Sequence, residues 1–196
     1  MCNSNCCSNE EIVYYQEARV GRLAPQFEME AILADGSTGV VSLAENMEAG
    51  KWTVLYFYPL DFTFVCPTEI KALSAQQAKF EELNAAVIAV STDSTFSHAA
   101  WRNHPSLGTI HHPMAADLNH EVSEAYGVLI PEEGIALRGL FIINPEGVLL
   151  HSTINSNDVG RNVEEVIRTL EAFQAVSEGK VVPCGWHPGE ALLTIK

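Results

Sequence analysis

The chain has few basic residues and no long apolar run. Its 196 residues include 11 lysines and arginines against 25 aspartates and glutamates, which gives a net charge of −14. Such an acidic balance argues against nucleic acid and against anionic membrane surfaces as partners. No stretch reaches the roughly 20 consecutive apolar residues that a membrane-spanning helix needs.

The N-terminal stretch also lacks the basic region and the apolar segment of a secretory signal, since it reads MCNSNCCSNEE. We therefore expect the protein in the cytosol, where thiols are mostly kept reduced. We interpret residues 1–11 as a flexible polar leader, residues 12–178 as one folded domain and residues 179–196 as a C-terminal arm.

The cysteines are odd in number and unevenly spaced, which does not describe a disulfide-stapled secreted fold. Three of the five lie in the leader, and the others are Cys66 and Cys184. The favoured interpretation of Cys2, Cys6 and Cys7 is that they are incidental thiols. Mixed disulfides or a metal cluster are the alternatives, although no fourth metal ligand is evident.

Three histidines, His104, His111 and His112, lie in a predicted loop over residues 103–113. The loop lacks cysteine or carboxylate ligands at a useful spacing, so we expect solvated histidines rather than a metal site. The chain also has no glycine-rich phosphate loop and no haem or flavin signature. We therefore expect neither a metal nor a cofactor.

Hydrophobic periodicity predicts alternating strands and helices. The predicted strands cover residues 27–33, 40–43, 52–58, 85–91 and 114–116, and a hairpin covers 137–143 and 148–154. The predicted helices cover residues 67–83, 96–103 and 119–126, with a last one over 163–173. This order predicts a mixed central sheet with helices on both faces, an α/β sandwich of the thioredoxin type.

Cys66 lies where the predicted strand 52–58 gives way to the helix that begins near Pro67. Backbone N–H groups and the positive end of the helix dipole favour thiolate over thiol at this place. A thioredoxin-like turn usually reads C-x-x-C, but here it reads Cys-Pro-Thr-Glu and lacks the second thiol. One activated thiolate remains, and its natural chemistry is attack on an oxidant to give a sulfenic acid.

The stretch PLDFTFVCPTE around Cys66 resembles the P-x-x-x-T-x-x-C signature of the peroxiredoxins, with the flanking residues of the typical 2-Cys group. Further matches are STDSTFSHAAW at 91–101, GIALRGLFII at 134–143 and GRNVEE at 160–165. The resemblance covers residues 20 to 190. It implies a thioredoxin-like fold and a thiol-dependent peroxidase that reduces hydrogen peroxide and small organic hydroperoxides without a cofactor.

The resemblance implies a role for each residue that matches the signature. Cys66 would be the peroxidatic cysteine. Thr63 would hold the thiolate and the peroxide through its hydroxyl group, and Pro59 would shield the sulfur from bulk water. Inert packing is the alternative for a lone cysteine in a core turn.

The same resemblance implies two arginines and one acid beside the sulfur. Arg138 would lie against Cys66 and stabilise both the thiolate and the developing negative charge. Arg161 would be the outer arginine, and Glu69 would orient both guanidinium groups. A structural ion pair is the alternative for Arg138, but its position among apolar residues makes an unpaired role costly.

Cys184 departs from the family pattern. Typical members carry the resolving cysteine in a V-C-P-x-x-W segment, whereas this chain has Val182 at that position and the cysteine two residues later. Because the arm is rich in proline and glycine, we expect it to absorb the displacement and to form a disulfide between Cys66 of one subunit and Cys184 of another. The alternative is a one-cysteine peroxidase that uses an external thiol and leaves Cys184 idle.

The resemblance also implies partners. Thioredoxin or a flavoprotein disulfide reductase would donate electrons, and homodimers would assemble into a decamer. A chaperone-like or redox-signalling oligomer is the alternative from a different class. The loop at 105–108 reads PSLG where sensitive eukaryotic members have GGLG, and the chain ends at Lys196 without their Tyr-Phe pair. We therefore expect a prokaryote-like enzyme that resists over-oxidation.

Overall fold

A seven-stranded mixed sheet forms the centre of the protein, in a computed structural model that describes residues 17–193. Its strands are Glu28–Ile32 (β1), Thr38–Ser42 (β2), Trp52–Phe57 (β3), Ala85–Ser91 (β4), Met114–Ala116 (β5), Arg138–Ile143 (β8) and Leu149–Asn155 (β9). The strand order is β2-β1-β5-β4-β3-β8-β9. β4 pairs in parallel with β3 and β5, and the remaining neighbours are antiparallel.

Helices cover both faces of this sheet. They are Leu43–Glu48 (α1), Cys66–Ala75 (α2), Gln77–Glu82 (α3), Thr95–Arg102 (α4), Glu121–Ala125 (α5) and Val163–Ser177 (α6). One core joins Tyr56 and Leu140 of the sheet to α2, α3, α4 and α6. The other joins Phe57 and Phe141 to α1 and α5. The predicted α/β sandwich is therefore confirmed, and successive residues of β3 alternate between the two cores.

Strand β4 occupies the predicted residues because it is buried on both faces and therefore reads as a continuous apolar run. The single helix predicted over residues 67–83 is wrong, since the chain leaves helical geometry at Gln76 (φ −98°, ψ 12°). Ala75 and Gln76 are exposed, so no apolar contact holds the helix to the sheet between Leu73 and Phe80. The N–H of Gln76 bonds to the carbonyl of Leu73 at 3.1 Å, and α3 begins at the next residue.

Two further elements differ from the predictions. The predicted strand 40–43 ends at Ser42, because the hydroxyl of Ser42 accepts a hydrogen bond from the N–H of Glu45 at 3.1 Å and caps α1. A two-stranded ribbon, Leu129–Ile130 (β6) with Ile135–Ala136 (β7), was not predicted. Its strands are shorter than the window over which alternation can be recognised.

The prediction of solvated histidines is wrong for His112, although His104 and His111 are exposed. His112 lies fully buried, with its Nε2 atom 3.2 Å from the hydroxyl of Tyr56 and its Nδ1 atom 3.2 Å from the carbonyl of Pro113. Since a carbonyl only accepts, Nδ1 carries the proton and Nε2 accepts from the tyrosine. Burial lowers the pKa of His112 to about 4, so the ring is neutral near pH 7.

After α6 the described chain forms no helix or extended strand. The ends of this segment pair through one bridge between Val181 and Leu193. Trp186 is buried within its own chain, and its carbonyl accepts a hydrogen bond from Arg168 at 3.1 Å. The leader lies outside the described residues. None of the helices within residues 17–193 has the length and apolar character needed to cross a membrane.

The buried His112 predicts a specific loss of stability in acid. As the pH falls below about 6.5 the unfolded chain binds a proton that the folded chain refuses until about pH 4, so unfolding becomes easier across this window. We expect this histidine alone to reduce the free energy of unfolding by about 2 kcal/mol between pH 7 and pH 5. Urea unfolding of wild type and His112→Asn measures the difference in slope.

His111→Asn is the matched control, because the neighbouring ring is exposed. This variant should keep the wild-type dependence on pH. Equal slopes for wild type and His112→Asn across pH 4 to 6.5 would contradict the assignment.

Candidate active site

Cys66 is the first residue of α2. Val65 precedes it at the N-cap position, where its side chain makes no capping hydrogen bond. The chain reaches this point from the end of β3 through residues 58–65. The Cys66 side chain has no exposed surface. Pro67 occupies the next position in the first turn, where the absent N–H group costs nothing. A short loop and a helix terminus therefore deliver this thiol into the protein interior.

Strand pairing brings Arg138 to the same place. Tyr56 pairs with Leu140 in the antiparallel contact of β3 with β8, so Arg138 at the start of β8 lies beside the end of β3. Its Nη1 atom donates to the sulfur of Cys66 at 3.3 Å. Its Nε and Nη2 atoms donate to the carbonyl of Asn157 at 2.9 and 2.8 Å. The guanidinium plane is thus fixed with one edge turned towards the thiol.

Glu69, one turn into α2, joins both predicted arginines. Its Oε2 atom accepts from Nη1 of Arg138 at 2.6 Å and from Nη2 of Arg161 at 3.0 Å. Its Oε1 atom accepts from Nε of Arg161 at 2.7 Å and from the backbone N–H of Arg161 at 2.8 Å. The three side chains are only 3–5% exposed. The guanidinium of Arg161 also lies over the ring of Tyr56, at 5.2 Å from its centre.

The charges of Glu69, Arg138 and Arg161 alone do not sum to zero. Burial tends to raise the pKa of Glu69, but the hydrogen bonds and charge of Arg161, together with the charge of Arg138, outweigh burial and hold that pKa below its usual range. One carboxylate therefore faces two guanidinium groups and leaves one positive charge in excess. A thiolate at Cys66 would balance this charge at the edge of Arg138.

The structure gives less direct information about the remaining predicted site residues, which are Thr63, Pro59 and Cys184. Thr63 donates its hydroxyl hydrogen to the carbonyl of Leu60 at 3.0 Å. Pro59 is buried two residues beyond the end of β3. Cys184 lies exposed in the arm, and neither it nor Cys66 is in a disulfide. The structure thus brings Cys66, Glu69 and the two arginines into one cluster, and the catalytic roles of these residues stay predictions, as do those of Thr63, Pro59 and Cys184.

Sequence reasoning missed a second polar cluster on the loop that leads to Cys66. Asp61 is buried, and its carboxylate accepts from the hydroxyl of Tyr58 at 2.8 Å and from the hydroxyl of Ser97 at 2.7 Å. Nδ1 of His98 lies 2.9 Å from the same carboxylate. A lone aspartate within an otherwise apolar stretch was the available signal, but its partners on α4 cannot be identified from local sequence.

Comparison with known proteins agrees with this geometry. The model of the AhpC/TSA family matches residues 20–152. The Bacillus subtilis protein YkuU, named as a peroxiredoxin, is 56% identical over 90% of this chain and 99% of its own length. The reduced 2-Cys peroxiredoxin of Plasmodium vivax is 37% identical with a TM-score of 0.85, covering 88% of this chain and 91% of that one. AhpC of Enterococcus faecalis is 40% identical with a TM-score of 0.79, covering 85% of this chain and 99% of that one.

The chain therefore belongs to the AhpC/TSA family, within the typical 2-Cys peroxiredoxins. It is an enzyme, a thiol-dependent peroxidase with a thioredoxin-like fold.

Glu69 is the single counter-charge of two buried guanidinium groups, so its neutralisation should be costly. We expect Glu69→Gln to lower the free energy of unfolding by about 3 kcal/mol or more, because it leaves both arginines buried without a balancing charge. Urea unfolding at neutral pH measures the loss.

Glu165→Gln is the matched control, because Glu165 makes a similar two-point contact with Arg168, at 2.7 Å to each nitrogen, on the exposed face of α6. Its loss should stay below about 1 kcal/mol, as is usual for surface ion pairs. Equal losses in the two variants would show that burial of the Glu69 cluster adds nothing.

Proposed function

We propose that the enzyme reduces hydrogen peroxide and small organic hydroperoxides through a sulfenic acid at Cys66. The thiolate attacks one peroxide oxygen, the O–O bond breaks, and the leaving oxygen takes up a proton to become water or an alcohol. The thiol of Cys184 from another subunit then attacks the sulfenic sulfur, which releases water and forms a disulfide. A dithiol reductant, either thioredoxin or a flavoprotein disulfide reductase, returns both cysteines to thiols.

The observation that carries this proposal is the contact between Arg138 and the Cys66 sulfur, at 3.3 Å within a buried cluster of excess positive charge. Attack on an O–O bond requires an anionic nucleophile and places negative charge on the leaving oxygen. A guanidinium that is already fixed by Asn157 and Glu69 can stabilise both charges without reorganising. Thr63 and Pro59 would position the peroxide and exclude water from the sulfur.

Resolution by Cys184 requires movement. Cys66 is enclosed, whereas Cys184 lies on an exposed arm that has little regular structure. The first turn of α2 must therefore open before the two sulfur atoms can meet, and such local opening costs only the contacts that cover this turn. The cytosol, which keeps thiols reduced, is the proposed compartment.

Substitution of single cysteines separates the proposed steps. Cys66→Ser should abolish peroxide turnover, because serine supplies no thiolate. Cys184→Ser should still consume one peroxide per subunit but should turn over only with a small external thiol. On non-reducing gels, peroxide-treated wild type should run as a covalent dimer and both variants as monomers. Turnover assays with thioredoxin and its reductase supply the rates.

Simultaneous replacement of Cys2, Cys6 and Cys7 by serine is the control, and it should leave most of the turnover. Substantial activity in Cys66→Ser would refute the assignment of the peroxidatic thiol. Full thioredoxin-dependent turnover in Cys184→Ser would instead favour the one-cysteine mechanism. An oligomer that lacks peroxide turnover even with purified reductant would point to a holdase or signalling protein.

We also propose that homodimers assemble into a ring, with a decamer as the expected size. β9 forms an edge of the central sheet. Among the described strands it pairs only with β8, and Leu149 at its start also exchanges backbone hydrogen bonds with Gly21 and Arg22. Beyond Leu149, such an edge offers free backbone groups to a second strand. In addition, Phe64 and Phe96 are 96% and 87% exposed, which is unfavourable for a monomer in water.

Light scattering of the reduced protein at micromolar concentration tests assembly. We expect a mass several times the 21.4 kDa of one chain. Phe96→Ser should reduce this mass, because it removes apolar surface that the assembly would bury. A clean monomer in the wild type would contradict the proposal.

A further inference from the structure

In the loop between β3 and Cys66 a charged side chain is buried and apolar side chains are exposed. From Leu60 to Val65 the only buried residue is Asp61, whose carboxylate is 1% exposed. Phe62 and Phe64, in the same loop, are largely exposed. Since a buried carboxylate without partners is costly, this loop depends on what Asp61 binds.

Asp61 is held on every side by described residues. Its two carboxylate oxygens accept hydrogen bonds from Tyr58 of the loop and from Ser97 of α4, at 2.8 and 2.7 Å. Its backbone N–H donates to Asp93 at 2.8 Å. His98 completes the set, at 2.9 Å from the carboxylate. Asp61 therefore joins the loop to α4 and, through Asp93, to the segment that follows β4.

The contact between Asp61 and His98 is enclosed, with the two side chains 1% and 0% exposed. Nδ1 of His98 lies 2.9 Å from the carboxylate of Asp61. Nε2 of His98 lies 3.1 Å from the carbonyl of Ala115, which only accepts, so Nε2 carries a hydrogen and the ring is fixed at both nitrogen atoms.

The backbone conformation of the next residue, Phe62, is unfavourable, which indicates that the contacts of Asp61 hold the loop in place. Phe62 has φ +56°, a left-handed conformation that residues other than glycine rarely adopt. Its ring lies beside Trp101 and His104, at 5.8 Å from each. A strained residue persists only where neighbouring contacts determine the backbone, and Asp61 supplies the buried polar contact next to it.

We propose that Asp61, held by His98, Ser97 and Tyr58, is a positioning residue that keeps the peroxidatic loop closed around Cys66. This inference rests on the proposed function and adds to it. Asp61 precedes the thiol by five positions and Glu69 follows it by three, so buried carboxylates hold the chain on both sides of the reacting sulfur.

Loss of this contact should affect the two halves of the reaction in opposite directions. The closed loop keeps Cys66 against Arg138 and so favours attack on peroxide. The open loop favours capture of the sulfenic acid by Cys184 and protects it from a second peroxide. A variant with a loosened loop should therefore react more slowly with peroxide and yet lose fewer thiols to sulfinic acid.

Asp61→Ala tests this inference, because alanine removes the side-chain hydrogen bonds that join Asp61 to Ser97 and His98 of α4. Rapid-quench experiments with hydrogen peroxide, followed by mass spectrometry of Cys66, give both the rate of oxidation and the fraction converted to sulfinic acid per turnover. We expect the rate to fall about tenfold and the sulfinic fraction to fall as well, since the closed population is reduced. Asp61→Asn should restore both values, because its amide can accept from Tyr58 and donate to His98.

Asp117→Ala is the matched control. Asp117 is also buried, but its carboxylate binds the N–H groups of Val122 and Ser123 at the start of α5 and not the loop before Cys66. This variant should lose stability without changing the sulfinic fraction. Tyr58→Phe replaces Asp61→Ala if the alanine variant does not fold, and it should shift both values in the same directions by a smaller factor.

The inference fails if wild type turns over peroxide while the Asp61 or Tyr58 variant leaves the sulfinic fraction unchanged, raises it, or behaves like Asp117→Ala. An inert wild type would instead overturn the proposed function itself, and this inference with it.

Discussion

The shared carboxylate of Glu69 is the interaction on which the arrangement of the site depends. Two guanidinium groups lie close together in the interior, and their mutual repulsion would separate them without a common counter-charge. Glu69 lies on the first turn of α2, Arg138 on β8 and Arg161 just before α6. One side chain therefore joins three elements and fixes the distance between Arg138 and the sulfur of Cys66.

The sheet supplies the rest of this geometry. β3 and β8 are direct neighbours although Cys66 and Arg138 are 72 residues apart in sequence. The central position of β3 leaves its end enclosed by helices on both faces, so the loop that follows it enters the interior. Asp61 binds that loop to α4, and Glu69 binds the start of α2 to the arginines. Cys66 thus lies between two buried carboxylates with different partners.

The local sequence pattern was sufficient to predict those elements whose structure depends on neighbouring residues or on burial along the whole element. Strand β4 was predicted because it reads as a continuous apolar run, and the hairpin of β8 with β9 because turn residues separate two apolar segments. Arg138 was recognisable as a basic residue within an apolar strand. The break at Gln76 and the burial of His112 were missed because both depend on tertiary packing. Asp61 was missed for the same reason, since its partner His98 lies 37 residues away.

In the proposed mechanism, attack on peroxide requires Cys66 in the closed site, whereas resolution by the exposed Cys184 requires that the site open. The charge of the cluster explains how both can occur in turn. A thiolate accepts a charge-assisted hydrogen bond from Arg138, and this bond favours the closed site before the reaction. Oxidation to the sulfenic acid removes that negative charge, so the same contact becomes weaker. The closed site is then stabilised less by the product than by the reactant. Opening is therefore biased to follow oxidation, which is the order that capture by Cys184 requires.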